Sequence, residues 1–554
     1  MTESVNSPEA ADAANATREP NRQAGLPWAF GLVLLVAVLV FGHHIPQRIG
    51  GAFWPHPLDH EEDYVLVHAW RLAHGQWYIQ PIDDPLGPYV VGTYMPVFPL
   101  LVAAVTGSTE PSPVPGRLLA VASALACAGL MGGLLVRAGA PWPMALALAG
   151  LFLLHRDTLK WLPLLRVDFT AWMFGLLALW GAAAWNARMC VPTTGTADRW
   201  RHAGLMLAGC AAVAAFFTKQ TTLAAPAAIF VWLWVHHGVR CAGLWAGATA
   251  ATALALMGLC QMLSPGSFFF YTVVANANVM SADQLMVWVR HFTRFTMILM
   301  LASGVAVAML LWRWLSARGV GHDTPEAKLR HLLVIYALFA IATFAGSAKL
   351  GAAENYMLEP LMGLLLLVGA ALAGEARSLD RPGQGGELLW RMGPTAGLAV
   401  LLVLHVLHLG VAPPEGSGLP PSPRLRWGVQ NAHPSDVEAA RIVDDLVRSS
   451  PGDTWCERAT FALRHGAPLF LHPFINAQLA REGKWDEALA VAQIERGRFR
   501  RLIITEDVRP EAFQAADAQY TPAMRRAIVQ RYELVGTLPA LHFSYWIWER
   551  RPEG

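Results

Sequence analysis

Charge is scarce in this chain, and cysteine scarcer. Only 15% of its 554 residues are Asp, Glu, Lys or Arg, and the formal net charge is +2. Nothing therefore pulls the whole molecule toward a polyanion, and the basic residues are spread through short loops instead of forming a stripe, so no nucleic-acid partner is expected. Six cysteines are too few and too scattered for a disulfide framework. Cys127, Cys190, Cys210, Cys241 and Cys260 lie in or at the ends of apolar runs, Cys456 stands alone in the polar C-terminal region, and no CxxC pair suggests a metal. Internal repeats are lacking, as is a small-x-small cleavage site after the first apolar run.

Apolar residues are abundant: 54% of the chain, with a mean hydropathy of +0.36. They come in long runs rather than in alternation, which predicts a mostly α, polytopic helical membrane protein. Residues 1–25 read as a disordered cytoplasmic tail, and Leu26 to Phe41 as an uncleaved signal anchor. About 20 apolar residues cross about 30 Å of hydrocarbon. Eleven segments approach that length: Leu26 to Phe41, Leu118 to Val136, Gly139 to Leu154, Phe169 to Trp185, Ala203 to Phe217, Leu223 to Val235, Ala242 to Leu263, Phe295 to Trp314, Leu332 to Phe344, Met357 to Leu372 and Ala396 to Leu409. Tyr89 to Thr106 is interrupted by Pro96 and Pro99, and reads as an interfacial or re-entrant helix.

The positive-inside rule sets the orientation. With eleven spans and a cytoplasmic N-terminus, the inside segments collect Arg18, Arg22, Arg137, Arg188, Arg199, Arg201, Arg240, Arg313, Arg318, Lys328, Arg330, Arg377, Arg381 and Arg391. The protein is then expected in the inner (plasma) membrane. Its active site and C-terminal domain face the periplasm or exterior. On that outer face fall Asp59 to Asp63 in a large first loop (45–117), Arg156 to Asp168, Lys219-Gln220, Ser264 to Thr293, and Lys349 to Tyr356.

Charged groups beside hydrocarbon are costly and are read first as functional. Glu61, Glu62 and Asp63 open a helix that Gly75 ends, with Asp59 just before it. Acids in a first turn are favoured by the helix dipole by about 0.3 to 1 kcal/mol. Four acids in five positions exceed what a cap needs, and crowded carboxylates suit a general base or a metal site. Val65, Ala69 and Leu72 would lay this helix along the membrane interface. Arg166-Val167-Asp168 is either a local ion pair or an acid facing a cavity with an anion-binding arginine beside it. Lys219, Gln220, Lys349, Asn355 and Tyr356 sit on turns too short to need them for solubility, and the cations suit a phosphate leaving group.

The order of these features, with Tyr94-x-Pro96 and Asn355-Tyr356 opening a span, resembles the polytopic GT-C glycosyltransferases, in particular the bacterial relatives of protein mannosyltransferases and lipid A aminoarabinose transferases. The resemblance covers residues 26–410. It implies a sugar donor carried on polyprenyl phosphate, an acceptor hydroxyl on a glycan, lipid or protein, and inversion at the anomeric carbon. It further implies a carboxylate base among Asp59, Glu61 and Glu62 with Asp168 assisting. Arg166, Lys219, Gln220 and Lys349 would lie at the donor phosphate, and Tyr94, Asn355 and Tyr356 at the substrates. A divalent metal, Mg or Mn, would fall to Asp59, Glu61 and Asp168. This chain departs from the family in having Glu61-Glu62 where an aspartate followed by Glu is usual. A transporter or flippase of lipid-linked or anionic substrates is the alternative, although such proteins place charges at the bilayer midplane.

Prolines and glycines at 411–434 mark a linker. Residues 435–554 read as a small extracytoplasmic α/β domain. Ser435 to Ser449 is an amphipathic helix with Val437, Ala440, Ile442 and Val443 inward, and Arg501 to Thr505 and Leu541 to Trp548 are strands.

Overall fold

The computed structural model describes residues 25–80, 87–107, 110–189, 202–264, 266–316, 324–378, 387–411, 434–509, 518–540 and 544–552. The N-terminal tail with Arg18 and Arg22, residues Cys190, Arg199, Arg201, Arg318 and Arg381, most of the linker, and the start of the strand expected from Leu541 lie outside these residues.

Each of the eleven apolar segments is helical, but the expected number of crossings does not follow. Five helices among the described residues are long and apolar enough to cross a membrane, Val114–Arg137, Val239–Leu263, Ala282–Trp312, Pro325–Ala348 and Glu354–Ala373, and a sixth if the bent pair Ala29–Phe41 and His44–Ala52 counts as one. Trp142–Leu154, Ala203–Thr218, Ala224–His237 and Thr395–Gly410 have only 10–17 residues. At 1.5 Å per residue, such lengths fall short of the hydrocarbon thickness unless flanking residues complete the path. Val97–Thr106 has ten residues. Pro96 is its N-cap and Pro99 lies in its first turn, where a missing N–H leaves no hydrogen bond unmade.

One apolar core joins the bundle. Glu354–Ala373 runs through its centre and is almost wholly buried. Asp168–Met189 lies against Ala203–Thr218 at a glycine crossing, where a Cβ on Gly181 or Gly204 would meet the other residue's backbone oxygen at 2.7 Å. Small residues at this crossing let the backbones approach, which substitutes for a hydrophobic driving force in lipid.

The C-terminal region forms a four-stranded sheet, ordered β1 (Thr454–Cys456), β2 (Arg501–Ile504), β4 (Tyr545–Arg550), β3 (Tyr532–Leu538). β1 and β2 are parallel and the remaining pairs antiparallel. The helix expected at 435–449 forms as Pro434–Ser449, but its inward stripe is Asp436, Ala439, Ala440, Val443 and Val447. Val437 is exposed and Ile442 only half-buried, because the packed stripe runs i, i+3, i+4, i+7 from Asp436 and not from Val437.

The sheet does not bury its core alone. Trp455, Phe470, Phe499, Leu502 and Trp548 share one cluster with Tyr78, Tyr89, Val91 and Met95 of the first loop and with Phe217, Cys260, Phe268 and Tyr271 of the bundle. Tyr89 bridges Leu471 in parallel. The helix His60–Ala73 is consequently buried on all sides from Glu62 to Ala69, so the apolar residues Val65 and Ala69 face protein.

Candidate active site

The five-residue acidic stretch separates into four different roles, because successive helical residues point about 100° apart. Asp59 is the N-cap: its carboxylate accepts from Glu61 N at 3.0 Å and from Arg166 Nη1 at 2.9 Å. Glu62 is turned inward. Its oxygens accept from Arg117 Nε and Nη2, both at 2.8 Å, from Leu165 N and Leu58 N, both at 2.6 Å, and from Asp59 N at 3.1 Å. Five donors saturate this carboxylate and no substrate proton has room to reach it, so Glu62 leaves the set of candidate bases. Asp63 points to the C-terminal region, accepting from Thr460 N and Oγ1 at 2.8 Å and facing Arg458 Nε at 3.1 Å.

Glu61 alone of the four lines the polar cleft. It is joined there by Tyr94, Arg166, Asp168, Lys219, Gln220, Lys349, Asn355 and Tyr356, so residues far apart in sequence meet in one cavity of about 90 Å³. Asp168, the first residue of its helix, accepts on Oδ1 from Lys219 Nζ at 2.6 Å and from Asn355 Nδ2 at 2.8 Å. Its Oδ2 accepts no hydrogen bond and lies 3.9 Å from Arg166 Nε. Arg166 is thus held more closely by Asp59 than by its neighbour two residues on. Lys219 also stands over the Tyr356 ring at 4.8 Å.

Gln220 is tied down, its amide donating to Thr93 O at 3.1 Å and Thr272 O at 2.8 Å. It anchors the loops around Lys219 and does not offer its N–H groups to a ligand. Lys349 donates to Asn276 Oδ1, and no carboxylate pairs with it among the described residues. Burial pushes its ammonium down to about 8, with Lys219 adding repulsion and Glu61 partly opposing both. For Glu61, burial alone would raise the carboxyl. The opposing effects of His472, Arg166 and His60 are greater and hold it below the usual carboxylate range, so it is ionised at neutral pH.

The trio considered for a metal does not converge. Asp59 is turned to Arg166, Glu61 to His472 and Asp168 to Lys219, and no group of three or more His, Cys, Asp or Glu side chains among the described residues is arranged to hold an ion.

A second, larger cavity of about 450 Å³ adjoins the cleft. Trp172, Leu223, Ala224, Ala227, Phe339 and Ala342 supply its apolar wall, and it shares Lys219, Gln220, Thr221, Asn355 and Tyr356 with the polar cleft. Thr343 and the buried Glu359 also line it, and sequence reasoning missed this cavity because most of its wall is ordinary apolar helix face. It also missed His472, Phe474 and Ile475, which bring the C-terminal region to Glu61 and to the cleft wall. Their only sequence signal is His472-Pro473, an N-cap followed by proline at the first helical position.

No protein-family model matches the chain, and no curated protein is detectably similar in sequence. Solved structures are similar in fold. The apo crystal structure of ArnT from Cupriavidus metallidurans is 12% identical, with 93% of this chain and 99% of that chain covered at a TM-score of 0.51. ArnT bound to undecaprenyl phosphate is 13% identical, covering 96% and 100% at 0.47. The archaeal oligosaccharyltransferase AglB from Archaeoglobus fulgidus, in complex with an inhibitory peptide and a dolichol-phosphate, is 11% identical over 86% and 68% at 0.44. The likeness to apo ArnT runs almost end to end in both chains, and the fold is of the GT-C type expected from the order of the polar motifs.

Proposed function

We propose that this chain, built on a GT-C-type fold, is a membrane glycosyltransferase that moves one sugar from a polyprenyl-phosphate carrier to an acceptor hydroxyl, with inversion. One observation carries the reading. A polar cleft holding three cations opens onto a 450 Å³ apolar cavity through the shared residues Lys219, Gln220, Thr221, Asn355 and Tyr356. A substrate matching both halves has an anionic head and a hydrocarbon tail.

In this reading the isoprenoid lies along Trp172, Leu223 and Phe339, and the phosphate meets Lys349, Lys219 and Arg166. Lys349 contributes most to phosphate capture, since Lys219 and Arg166 are already engaged by Asp168 and Asp59. The acceptor oxygen attacks the anomeric carbon, the bond from that carbon to the phosphate oxygen breaks with its electron pair, and the acceptor proton passes to Glu61. Asp168, with Oδ2 free of hydrogen bonds, orients the acceptor hydroxyl. Arg166 and Lys219 offset the charge that develops on the departing phosphate. The cleft and the C-terminal region lie on the extracytoplasmic side.

The test is transfer from a polyprenyl-phosphate sugar by the purified full-length protein in nanodiscs. General-base catalysis supplies about 10² to 10⁴-fold, so Glu61→Gln is expected to lose at least that lower factor. Undiminished transfer by the combined Glu61→Gln and Asp168→Asn protein would exclude the mechanism.

A further inference from the structure

Glu61 is faced from the C-terminal region by a histidine whose surroundings leave it one task. His472 is buried. Its ring stacks on Tyr64, with centroids 3.6 Å apart and planes at 15°. Its backbone N–H donates to Asn476 Oδ1 at 2.8 Å. Its Nδ1 accepts from Ile475 N at 3.4 Å, as the N-cap of the helix Pro473–Arg481.

That cap selects the tautomer. With Nδ1 receiving a backbone N–H, the ring proton of the neutral imidazole sits on Nε2. Nε2 makes no hydrogen bond and lies 3.6 Å from Glu61 Oε1. This is too long for a hydrogen bond and short enough for one to form with a small shift of the carboxylate. A buried N–H left unpaired is unfavourable, so closing the contact is favoured. Tyr64 and His68 also stand around the ring, while Glu61 itself is also faced by Arg166, His60, Tyr94 and Lys349.

We propose that His472 is a positioning residue for Glu61: the C-terminal region reaches into the cleft and fixes the carboxylate's orientation with an Nε2–H donor. The proposal rests on the transfer reading above. It makes the region after residue 434 part of the reaction centre and not a cover over it. His472 does not relay the proton, because accepting one on Nδ1 would set it against the Ile475 N–H.

Two substitutions in the full-length protein separate donation from packing. His472→Phe keeps the ring stack and removes both the donor and the Nδ1 cap of Pro473–Arg481, whereas His472→Asn keeps a capping acceptor and removes only the reach to Glu61. Misplacing a catalytic group by about 1 Å can cost about 10²-fold, so kcat should fall by roughly ten- to a hundredfold while the KM for donor stays within about threefold. The acid limb of the pH profile should move to higher pH, since Glu61 loses a group that favours its ionised form. His472→Gln places an amide N–H near the position of Nε2 and should restore most of kcat and the original acid limb. If the phenylalanine variant does not fold, His472→Asn, whose amide ends short of Glu61, carries the same expectations. The proposal is overturned by a phenylalanine or asparagine variant with unchanged kcat and pH profile, or by a glutamine variant as impaired as they are. Glu61→Gln measured alongside keeps the two claims apart. Full activity there would remove the base assignment itself, whereas its inactivity beside an unaffected His472→Phe would remove only the role given to His472.

Discussion

At the residue scale, the chemistry of the cleft is a division of charge. Asp59 neutralises Arg166 and Asp168 neutralises Lys219, which leaves Lys349 as the cation whose charge is not already matched by a carboxylate. Because burial brings its ammonium to about 8, it is charged below that pH and neutral above it. Donor binding should therefore weaken as pH rises through about 8, seen as a rising KM for the lipid donor. Lys349→Gln should start from a high KM and lose that dependence. The acidic stretch was legible as a cluster but not as four assignments. Nothing in Asp59-His60-Glu61-Glu62-Asp63 says which acid meets Arg117, Arg458 or the cleft, because partners such as Thr460 lie 397 residues away from the acid they meet.

At the element scale, short connections do the positioning. The turn after the helix Pro325–Ala342 is pinned by the antiparallel bridge between Met280 and Lys349, by Leu350 N donating to Val279 O at 2.9 Å, and by Asn278 Nδ2 donating to Leu350 O at 2.8 Å. Gly351 completes it at φ +82°, and a Cβ there would meet the Phe474 ring at 2.7 Å. Gly351→Ala combines a left-handed backbone with a clash, and costs of about 1–3 kcal/mol are typical of such strain. A lowered melting temperature together with reduced transfer is expected, because Lys349 sits on the same turn. The prolines at Pro96 and Pro99 look in sequence like interruptions of a span. In the structure they start a helix, since position within the first turn decides whether a proline breaks or begins one.

At the scale of the whole molecule, the first-loop helix and the C-terminal sheet are joined by a buried charged set. Asp63 faces Arg458 Nε at 3.1 Å, Arg458 Nη2 donates to His60 Nδ1 at 3.0 Å, and Tyr520 donates to Glu457 Oε2 at 2.9 Å. Removing one partner of a buried pair leaves a charge stranded, at about 3–5 kcal/mol. Asp63→Asn should lower thermal stability by an amount of that order, and Asp63→Asn with Arg458→Met should recover much of it. Sidedness is tested separately. Single cysteines at Glu110 and Asp453, in an otherwise cysteine-free background, should both react with an impermeant maleimide from outside intact cells. Labelling of either only after permeabilisation would reverse the proposed orientation.

The sequence by itself determined that the chain is a mostly helical membrane protein, where its apolar helices lie, and which polar residues deserved suspicion, because hydrophobic run length and isolated charges beside hydrocarbon are local properties. Its window-by-window reading could not assign Glu62 to Arg117, add His472 to the cleft, find the apolar cavity, or show that the sheet shares its core with the bundle. Those depend on which faces meet across hundreds of residues, and a side chain's role follows from the partner that packing brings to it.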